Sequence, residues 1–184
     1  MARLGWIGLG RLGLRLAPRL VAAGHDLIAH DLDPARTLPG AARASSAVEV
    51  AAESEAIFLC VTDTEAVDRI AGEIAAVDGR GKLVVDHSSI HPVRAREIAA
   101  RLNSANGMAW VDAPVSGPTG TCAVFLGGAA ADVARARPWI AAYAGTVTHM
   151  GSLGSGQLAK SASQLVVSAS WPEPSDPMCV TVPA

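Results

Sequence analysis

A glycine-rich segment near the start of the chain has the spacing of a phosphate-binding turn. Gly8, Gly10 and Gly13 follow the apolar run Leu4 to Ile7 and lead into a helical pattern. In a G-x-G-x-x-G turn, the first glycine allows the tight bend, the second lets the backbone approach a pyrophosphate, and the third lets helix and strand pack closely. The free N–H groups of the helix then face the anion. The segment predicts a dinucleotide site whose other turn residues are Leu9, Arg11 and Leu12.

An acidic residue follows where such a site requires one. After Gly24, the residues from His25 to His30 are typical of a second strand, and Asp31 comes directly after it. An acid at this place accepts hydrogen bonds from the adenosine ribose. Its charge repels a 2′-phosphate, so we expect NAD rather than NADP, unless Arg36 or Arg43 pairs with the phosphate. The other candidate cofactor contacts are Val61 and Thr62, at the end of the third predicted strand.

Three further polar segments have residue types that suit an oxidation. Asp86 to Pro92 and Asp112 to Gly117 each follow a predicted strand, and Gly154 to Lys160 opens a late helix. Ligands bind at the carboxyl ends of the strands in parallel sheets. Oxidation of an alcohol needs a base for the hydroxyl proton, and the same group returns the proton in reduction. Lys160 is the candidate, because removal from water lowers the pKa of a lysine towards a useful range.

The serine residues of these segments have both a functional and a purely structural interpretation. Ser116 and the Gly117 amide can donate hydrogen bonds to a carboxylate, or they can form an ordinary tight turn. Ser88 and Ser89 can cap the helix expected from Pro92.

Alternating strands and helices predict an α/β, Rossmann-type, doubly wound and mostly parallel sheet. Capping-box spacings, Ser46 with Glu49 and Thr62 with Glu65, precede two of the helices. We expect a dinucleotide-binding domain over 1–152, a helix carrying Lys160 over 153–170, and a proline-rich tail over 171–184. Strands are expected near Leu4–Ile7, Leu27–His30, Ile57–Val61, Leu83–Asp86, Met108–Val111, Val124–Leu126 and Thr146–His149.

Composition excludes several classes of partner. With 15 Lys and Arg against 17 Asp and Glu, the chain has no basic surface suited to nucleic acid or an anionic membrane. No apolar run reaches the roughly 20 residues that span a bilayer. The three cysteines lie far apart, and the histidines lack metal-ligand spacing, so we expect no metal, no disulfide and a cytoplasmic location.

These segments, together with the glycine turn, resemble the D-x-S-T, D-A-P-V-S-G and G-x-G-x-x-x-K motifs of the β-hydroxyacid dehydrogenase family, from residue 3 to about 170, with Asp86 to Ser89 reading D-H-S-S here. The resemblance implies reversible oxidation of a 3-hydroxy acid with NAD or NADP. It implies that the Ser116–Gly117 turn holds the substrate carboxylate and that Ser88 lies near the nicotinamide or substrate. The family's K-x-x-N is here Lys160 to Ser163, which places Ser163 beside the lysine on a helix. Pro118 stands where the family has a second glycine, which removes one N–H donor.

The resemblance ends at Trp171, where the family continues into an all-helical second domain. We therefore expect a weakened oxidoreductase for a small 3-hydroxy acid or its semialdehyde. The alternatives are an NAD-binding module without turnover and an imine-reductase-like enzyme, although imine reductases usually lack the lysine. A short-chain dehydrogenase is not expected, because Tyr143 has Val147 rather than lysine four residues later. Uncovered apolar residues predict a homodimer through residues 157–170.

Overall fold

The computed structural model describes residues 3–117 and 121–169, and in them one sheet is covered by helices on both faces. The predicted tail over 171–184 and Pro118 lie outside the described residues. The strands are β1 Arg3–Ile7, β2 Asp26–His30, β3 Ala42–Arg43, β4 Ala56–Leu59, β5 Leu83–Asp86, β6 Ala109–Asp112, β7 Val115–Ser116, β8 Cys122–Gly127 and β9 Ala144–Gly151. The helices are α1 Gly13–Ala22, α2 Ala47–Glu53, α3 Thr64–Ile74, α4 Pro92–Asn106, α5 Ala130–Ile140 and α6 Ser155–Ala169.

The sheet has the order β3-β2-β1-β4-β5-β6-β8-β7, with β9 paired to β8. The strands from β3 to β6 are parallel, and β1 pairs with β2 on one side and β4 on the other. The chain therefore reverses its direction of travel across the sheet at β1, which is the switch point where such folds bind ligands. Beyond β6 the pattern changes, since β8 is antiparallel to β6 and β7. The predicted doubly wound, mostly parallel sheet is confirmed.

Two apolar layers hold the helices to the sheet. On one face, Leu16 and Leu20 of α1 and Ile140 of α5 pack with Trp6 and Phe58 of the central strands. On the other face, α2, α3 and α4 bury residues such as Val50, Ile70 and Ile98. Burial on both faces explains why β4 and β5 are continuous apolar runs rather than alternating ones.

The helix starts confirm one predicted cap and correct two others. Ser46 accepts a hydrogen bond from the Glu49 amide at 3.2 Å, as predicted for α2. Helix α3 is capped by Asp63 and not by Thr62, because the Asp63 carboxylate accepts from the Ala66 amide at 2.8 Å. Helix α4 is capped by the ring of His91, which accepts from Val93, so Ser88 and Ser89 are not caps.

Helix α6 covers the sheet with its first turn only. Gly156 and Gln157 are its buried residues, whereas Leu158 is 63% and Leu165 73% exposed. No helix in the described part of the chain is long and apolar enough to cross a membrane.

Candidate functional site

The glycine turn between β1 and α1 has the geometry that each of its glycines predicts. Gly8 has φ +99°, and a Cβ there would overlap the Cys60 carbonyl. A Cβ at Gly13 would overlap the Gly8 carbonyl oxygen, which also accepts from the Trp6 indole N–H at 2.9 Å. At Gly10, by contrast, the nearest atom to such a Cβ is a guanidinium nitrogen of Arg36 at 3.8 Å. The turn is packed from below and open above Gly10, as close approach of a pyrophosphate requires.

Asp31 fixes this turn from the end of β2. Its Oδ2 accepts from the Leu9 amide at 2.6 Å, and its Oδ1 accepts from the Asp33 amide at 2.8 Å. The Asp31 side chain is 10% exposed, and the Arg36 guanidinium lies 3.8 Å from Oδ2. Arg36 lies closer to Asp33, at 3.3 Å. One carboxylate therefore orders the glycine turn from the end of β2.

A cleft of about 560 Å³ opens above the turn at the carboxyl ends of the central strands. Leu9 and Gly13 lie beneath it, where their backbone shapes the turn. Ser89 and Arg69 line the cleft although the sequence did not single them out as contacts. The predicted residues that line it are Gly8, Gly10, Arg11, Leu12, Asp31, Val61, Thr62 and Ser88.

Ser88 and Ser89 differ in their access to the cleft. Ser88 is 2% exposed, and its Oγ accepts from the Val61 amide at 3.1 Å, which ties the ends of β4 and β5 together. Its own amide donates to Asp86 at 2.9 Å. Ser89 is exposed to the cleft. Ser88 therefore shapes the wall, and Ser89 presents a hydroxyl at its surface.

Two buried titratable groups stand behind this wall. Burial raises the pKa of Asp86 to about 7, with a further contribution from Asp112, which lies opposite it in β6. The Oδ2 atom of Asp86 is buried and has no hydrogen-bond partner among the described residues. Burial also lowers the pKa of His87 to about 4. A carboxyl that keeps its proton and an imidazole that stays neutral suit an apolar interior.

The remaining predicted residues do not line the cleft. Ser116 is half-buried in β7, and Gly117 is exposed with φ +91°. Lys160 and Ser163 are half-buried on α6. Within the described residues, no hydrogen bond or ion pair engages the Lys160 ammonium, and burial lowers its pKa. An amine with these properties is available to a reacting hydroxyl.

Two buried side chains that the sequence did not single out join α6 to the strand ends. The carboxylate of Asp112 accepts from the amides of Gly154 and Gln157, both at 2.7 Å. The Gln157 side chain donates to the Ser88 carbonyl at 2.7 Å and accepts from the Ile90 amide at 3.1 Å. Both residues lay inside the quoted motifs, but only their burial and partners reveal what they do.

Comparison with known proteins agrees with this geometry. Residues 3–151 match the model of the NAD binding domain of 6-phosphogluconate dehydrogenase. The chain belongs to that family. It therefore contains an NAD-binding domain of the β-hydroxyacid dehydrogenase type, as the motifs predicted.

Individual relatives give the same result. Escherichia coli 2-hydroxy-3-oxopropionate reductase is 34% identical over 176 residues, which cover 90% of this chain and 60% of the reductase. The structure of Mycobacterium tuberculosis 3-hydroxyisobutyrate dehydrogenase with L-serine is 33% identical with a TM-score of 0.86, covering 91% of this chain and 60% of that one. A Myxococcus stipitatus imine reductase variant with NAD+ is 25% identical with a TM-score of 0.85, covering 92% and 62%. The chain thus spans about three fifths of the length of these relatives.

Proposed function

We propose that this chain carries the cofactor half of an oxidoreductase that transfers hydride between NAD and a small 3-hydroxy acid or its semialdehyde. One observation carries the proposal. Lys160 is half-buried, and within the described residues no hydrogen bond or ion pair engages its amine. It stands about one helical turn after Gln157, whose side chain donates to the Ser88 carbonyl on the cleft wall. This position supports a role for Lys160 as the proton acceptor of the reaction.

The cleft fits a dinucleotide in shape and in chemistry. The space above Gly10 admits a pyrophosphate, and Asp31 offers its carboxylate to a ribose. When bound, the nicotinamide supplies or accepts the hydride. Arg11, exposed in the turn, and Val61 and Thr62, at the end of β4, are the other proposed contacts.

The chain's own residues provide the acid–base chemistry and the hold on the substrate. In oxidation, the neutral Lys160 amine takes the proton of the substrate hydroxyl, and in reduction its ammonium returns it. Ser163 lies one turn further along the same face and offers a hydroxyl beside the amine. The Ser116 hydroxyl and the Gly117 amide bind the substrate carboxylate. Ser88 holds the adjoining wall.

Two other functions have some support. The imine reductase fold is equally close in shape, with a TM-score of 0.85. Lys160 favours an alcohol or aldehyde, because a hydroxyl proton needs a base. A module that binds NAD without turnover is favoured by the position of Lys160, Ser116 and Gly117 outside the lining of the cleft.

A paired assay separates these functions. NADH binding is measured by fluorescence titration, and hydride transfer by absorbance with a panel of 3-hydroxy acids, semialdehydes and cyclic imines. We expect binding together with slow oxidation of 3-hydroxy acids, since water reaches a half-exposed Lys160. Binding without any turnover supports the module, and turnover of imines alone supports the imine reductase.

The proposed partner is a second copy of the chain, through residues 157–170. Its support is the exposed apolar surface of α6, which includes Leu158 and Leu165. The cytoplasmic location stays a prediction.

A further inference from the structure

Gln157 is buried where α6 meets the cleft wall. Its side chain is 1% exposed, and both ends of its amide are used. Nε2 donates to the Ser88 carbonyl at 2.7 Å, and Oε1 accepts from the Ile90 amide at 3.1 Å. The amide therefore bridges two backbone groups of the segment that follows β5, although Ser88 lies 69 residues before Gln157 in the sequence.

The backbone of Gln157 is fixed as well. Its amide donates to Asp112 Oδ2 at 2.7 Å, and the Gly154 amide donates to Asp112 Oδ1 at the same distance. A carboxylate at a helix N-terminus satisfies amides that have no partner within the helix. A Cβ at Gly156 would overlap the Phe125 carbonyl, so the backbone of the first turn packs directly against β8. The start of α6 is thus held to the sheet by hydrogen bonds and by close packing.

We propose that Gln157 is a positioning residue that sets where Lys160 stands relative to the Ser88–Ile90 segment. This inference rests on the proposed function of Lys160. Lys160 follows Gln157 by three residues, about one turn of an α-helix, so the backbone that carries Lys160 is held by the same turn as Gln157. Beyond this turn α6 makes few buried contacts, as the exposure of Leu158 and Leu165 shows. The two Gln157 side-chain bonds are therefore the direct link between the proton acceptor and the cleft wall.

A purely structural role would give a different result, and the chain contains a matched control. Asn106 is a second amide that bridges backbone groups: its Nδ2 donates to the Ile74 and Val77 carbonyls, and its Oδ1 accepts from the Met108 amide. These residues lie at the other end of the sheet, where β5 and β6 begin. Asn106→Ala therefore removes the same kind of bond without touching α6.

The test compares Gln157→Met, which keeps the side-chain volume, and Gln157→Glu, which keeps only the acceptor for Ile90, with Asn106→Ala. The first readout is the pKa of Lys160, measured by acetic anhydride labelling across pH with mass spectrometry. The chain has one other lysine, Lys82, which serves as the internal reference. The second readout is kcat and KM with a 3-hydroxy acid.

We expect Gln157→Met to move the Lys160 pKa towards that of a free lysine and to lower kcat by roughly 10- to 100-fold, because misplacement of a catalytic group by about 1 Å costs up to that factor. Gln157→Glu should give a smaller change in the Lys160 pKa and in kcat. Asn106→Ala should lower the urea midpoint and leave the Lys160 pKa and kcat unchanged. If the wild type binds NADH but turns nothing over, the proposed function fails and the labelling arm still decides the inference. An unmoved Lys160 pKa in Gln157→Met, with a urea midpoint lowered as in Asn106→Ala, would overturn it.

Discussion

The imidazole of His87 lies between Tyr143 and Ala113, with its Nε2 2.7 Å from the Tyr143 hydroxyl oxygen and its Nδ1 2.7 Å from the Ala113 carbonyl oxygen. A carbonyl only accepts, so Nδ1 carries the proton and the Tyr143 hydroxyl donates to Nε2. The ring centroid also lies 5.8 Å from those of Trp6 and Phe58, in a tilted arrangement. One neutral side chain thus joins the end of β5, the segment before Ser116 and the residue before β9.

The neighbouring Asp86 gives the opposite contribution to the pH dependence of stability. The Asp86 pKa rises from about 4 in the unfolded chain to about 7, so its stabilisation is present below pH ~4 and is lost as pH rises to about 7. The His87 pKa falls from about 6.5 to about 4, so its contribution is present above pH ~6.5 and is lost as pH falls to about 4. Between pH ~4.5 and 6.5 the two contributions oppose each other.

We predict that Asp86→Asn and His87→Asn change the slope of stability against pH in opposite directions. Relative to the wild type, Asp86→Asn should become more stable with rising pH, and His87→Asn less stable, by roughly 1 kcal/mol per pH unit. The measurement is urea unfolding at several pH values from 4.5 to 6.5. Parallel curves for the two variants would contradict the pKa directions of both groups.

The second prediction is selectivity for NAD over NADP. The carboxylate of Asp31 would stand near a 2′-phosphate, and like charges about 4 Å apart repel by about 4 kcal/mol at an effective dielectric of 20. A third of that is roughly a tenfold difference in dissociation constant. Asp31→Asn, which keeps an acceptor for the Leu9 amide, should bring the NADH and NADPH values together.

The control for this titration is Asp26→Asn, which removes a carboxylate paired with Arg3 at the other end of β2. Its NADH and NADPH values should stay as in the wild type. Equal affinities in the wild type would contradict the prediction and point to Arg36, which already approaches Asp31 and Asp33.

The third prediction concerns Gly13. An alanine Cβ there overlaps the Gly8 carbonyl and comes within 3.1 Å of the Trp6 indole nitrogen, so the turn must move. We expect a loss of about 1–3 kcal/mol in the free energy of unfolding, together with weaker NADH binding. Gly72→Ala in α3 is the control, because no atom lies within 4 Å of the added Cβ and alanine favours a helix by up to ~1 kcal/mol. Equal urea midpoints for the two variants would show that the turn accommodates a Cβ.

Local sequence patterns were sufficient for the first half of the site. The glycine turn, β2 and Asp31 are consecutive in the chain, and each follows a short-range rule about strands, turns and helix ends. The predicted steric roles match the geometry, with an overlap at Gly8 and Gly13 and open space at Gly10, and the cofactor contacts themselves stay predictions. The central strands β1, β4 and β5 could also be predicted, because burial on both faces leaves apolar runs in the sequence.

The other half of the site depends on contacts between residues that are distant in the sequence. The bond between Gln157 and Ser88 joins positions 69 residues apart, and neither glutamine nor aspartate in a motif indicates its partner. The α3 cap illustrates a smaller failure, since Thr62 and Asp63 are adjacent and both residue types cap helices. The structure places Asp63 at the cap and lets the Thr62 hydroxyl donate to it at 2.7 Å. The short strands β3 and β7, of two residues each, carry no periodic signal at all.

The fourth prediction is that Lys160→Ala lowers kcat by roughly 10² to 10⁴ and leaves NADH affinity unchanged. Because burial lowers the Lys160 pKa, the wild-type oxidation rate should rise with pH through a value below that of a free lysine. Lys160→Arg should not restore the rate, since arginine stays charged.

Ser116→Ala should raise KM for the 3-hydroxy acid, because it removes the hydroxyl proposed to bind the substrate carboxylate.

Lys82→Ala is the matched control for Lys160→Ala. Lys82 directly precedes β5, and its ammonium donates to the carbonyls of Ala52 and Ser54 at the end of α2, away from the cleft. Its removal should lower stability and leave kcat as in the wild type. A Lys160→Ala protein that keeps the wild-type rate would exclude the lysine from the reaction.

The last prediction concerns the exposed face of α6. Leu158 and Leu165 lie two turns apart on one side of the helix and are 63% and 73% exposed. Burying them against a second copy stabilises the pair by about 25 cal/mol per Å² of apolar surface. Light scattering should therefore give twice the 18.7 kDa of one chain, and Leu165→Lys should give the single-chain mass.

Leu32→Lys is the matched control, because Leu32 is 72% exposed and follows β2, far along the sheet from α6. It should leave the mass at that of a dimer. If the wild type is a single chain, α6 beyond Gln157 has little to pack against, and its amides should exchange quickly with solvent. A single-chain mass together with strong exchange protection across residues 158–169 would contradict both outcomes, because the helix would then be held without burying its apolar face.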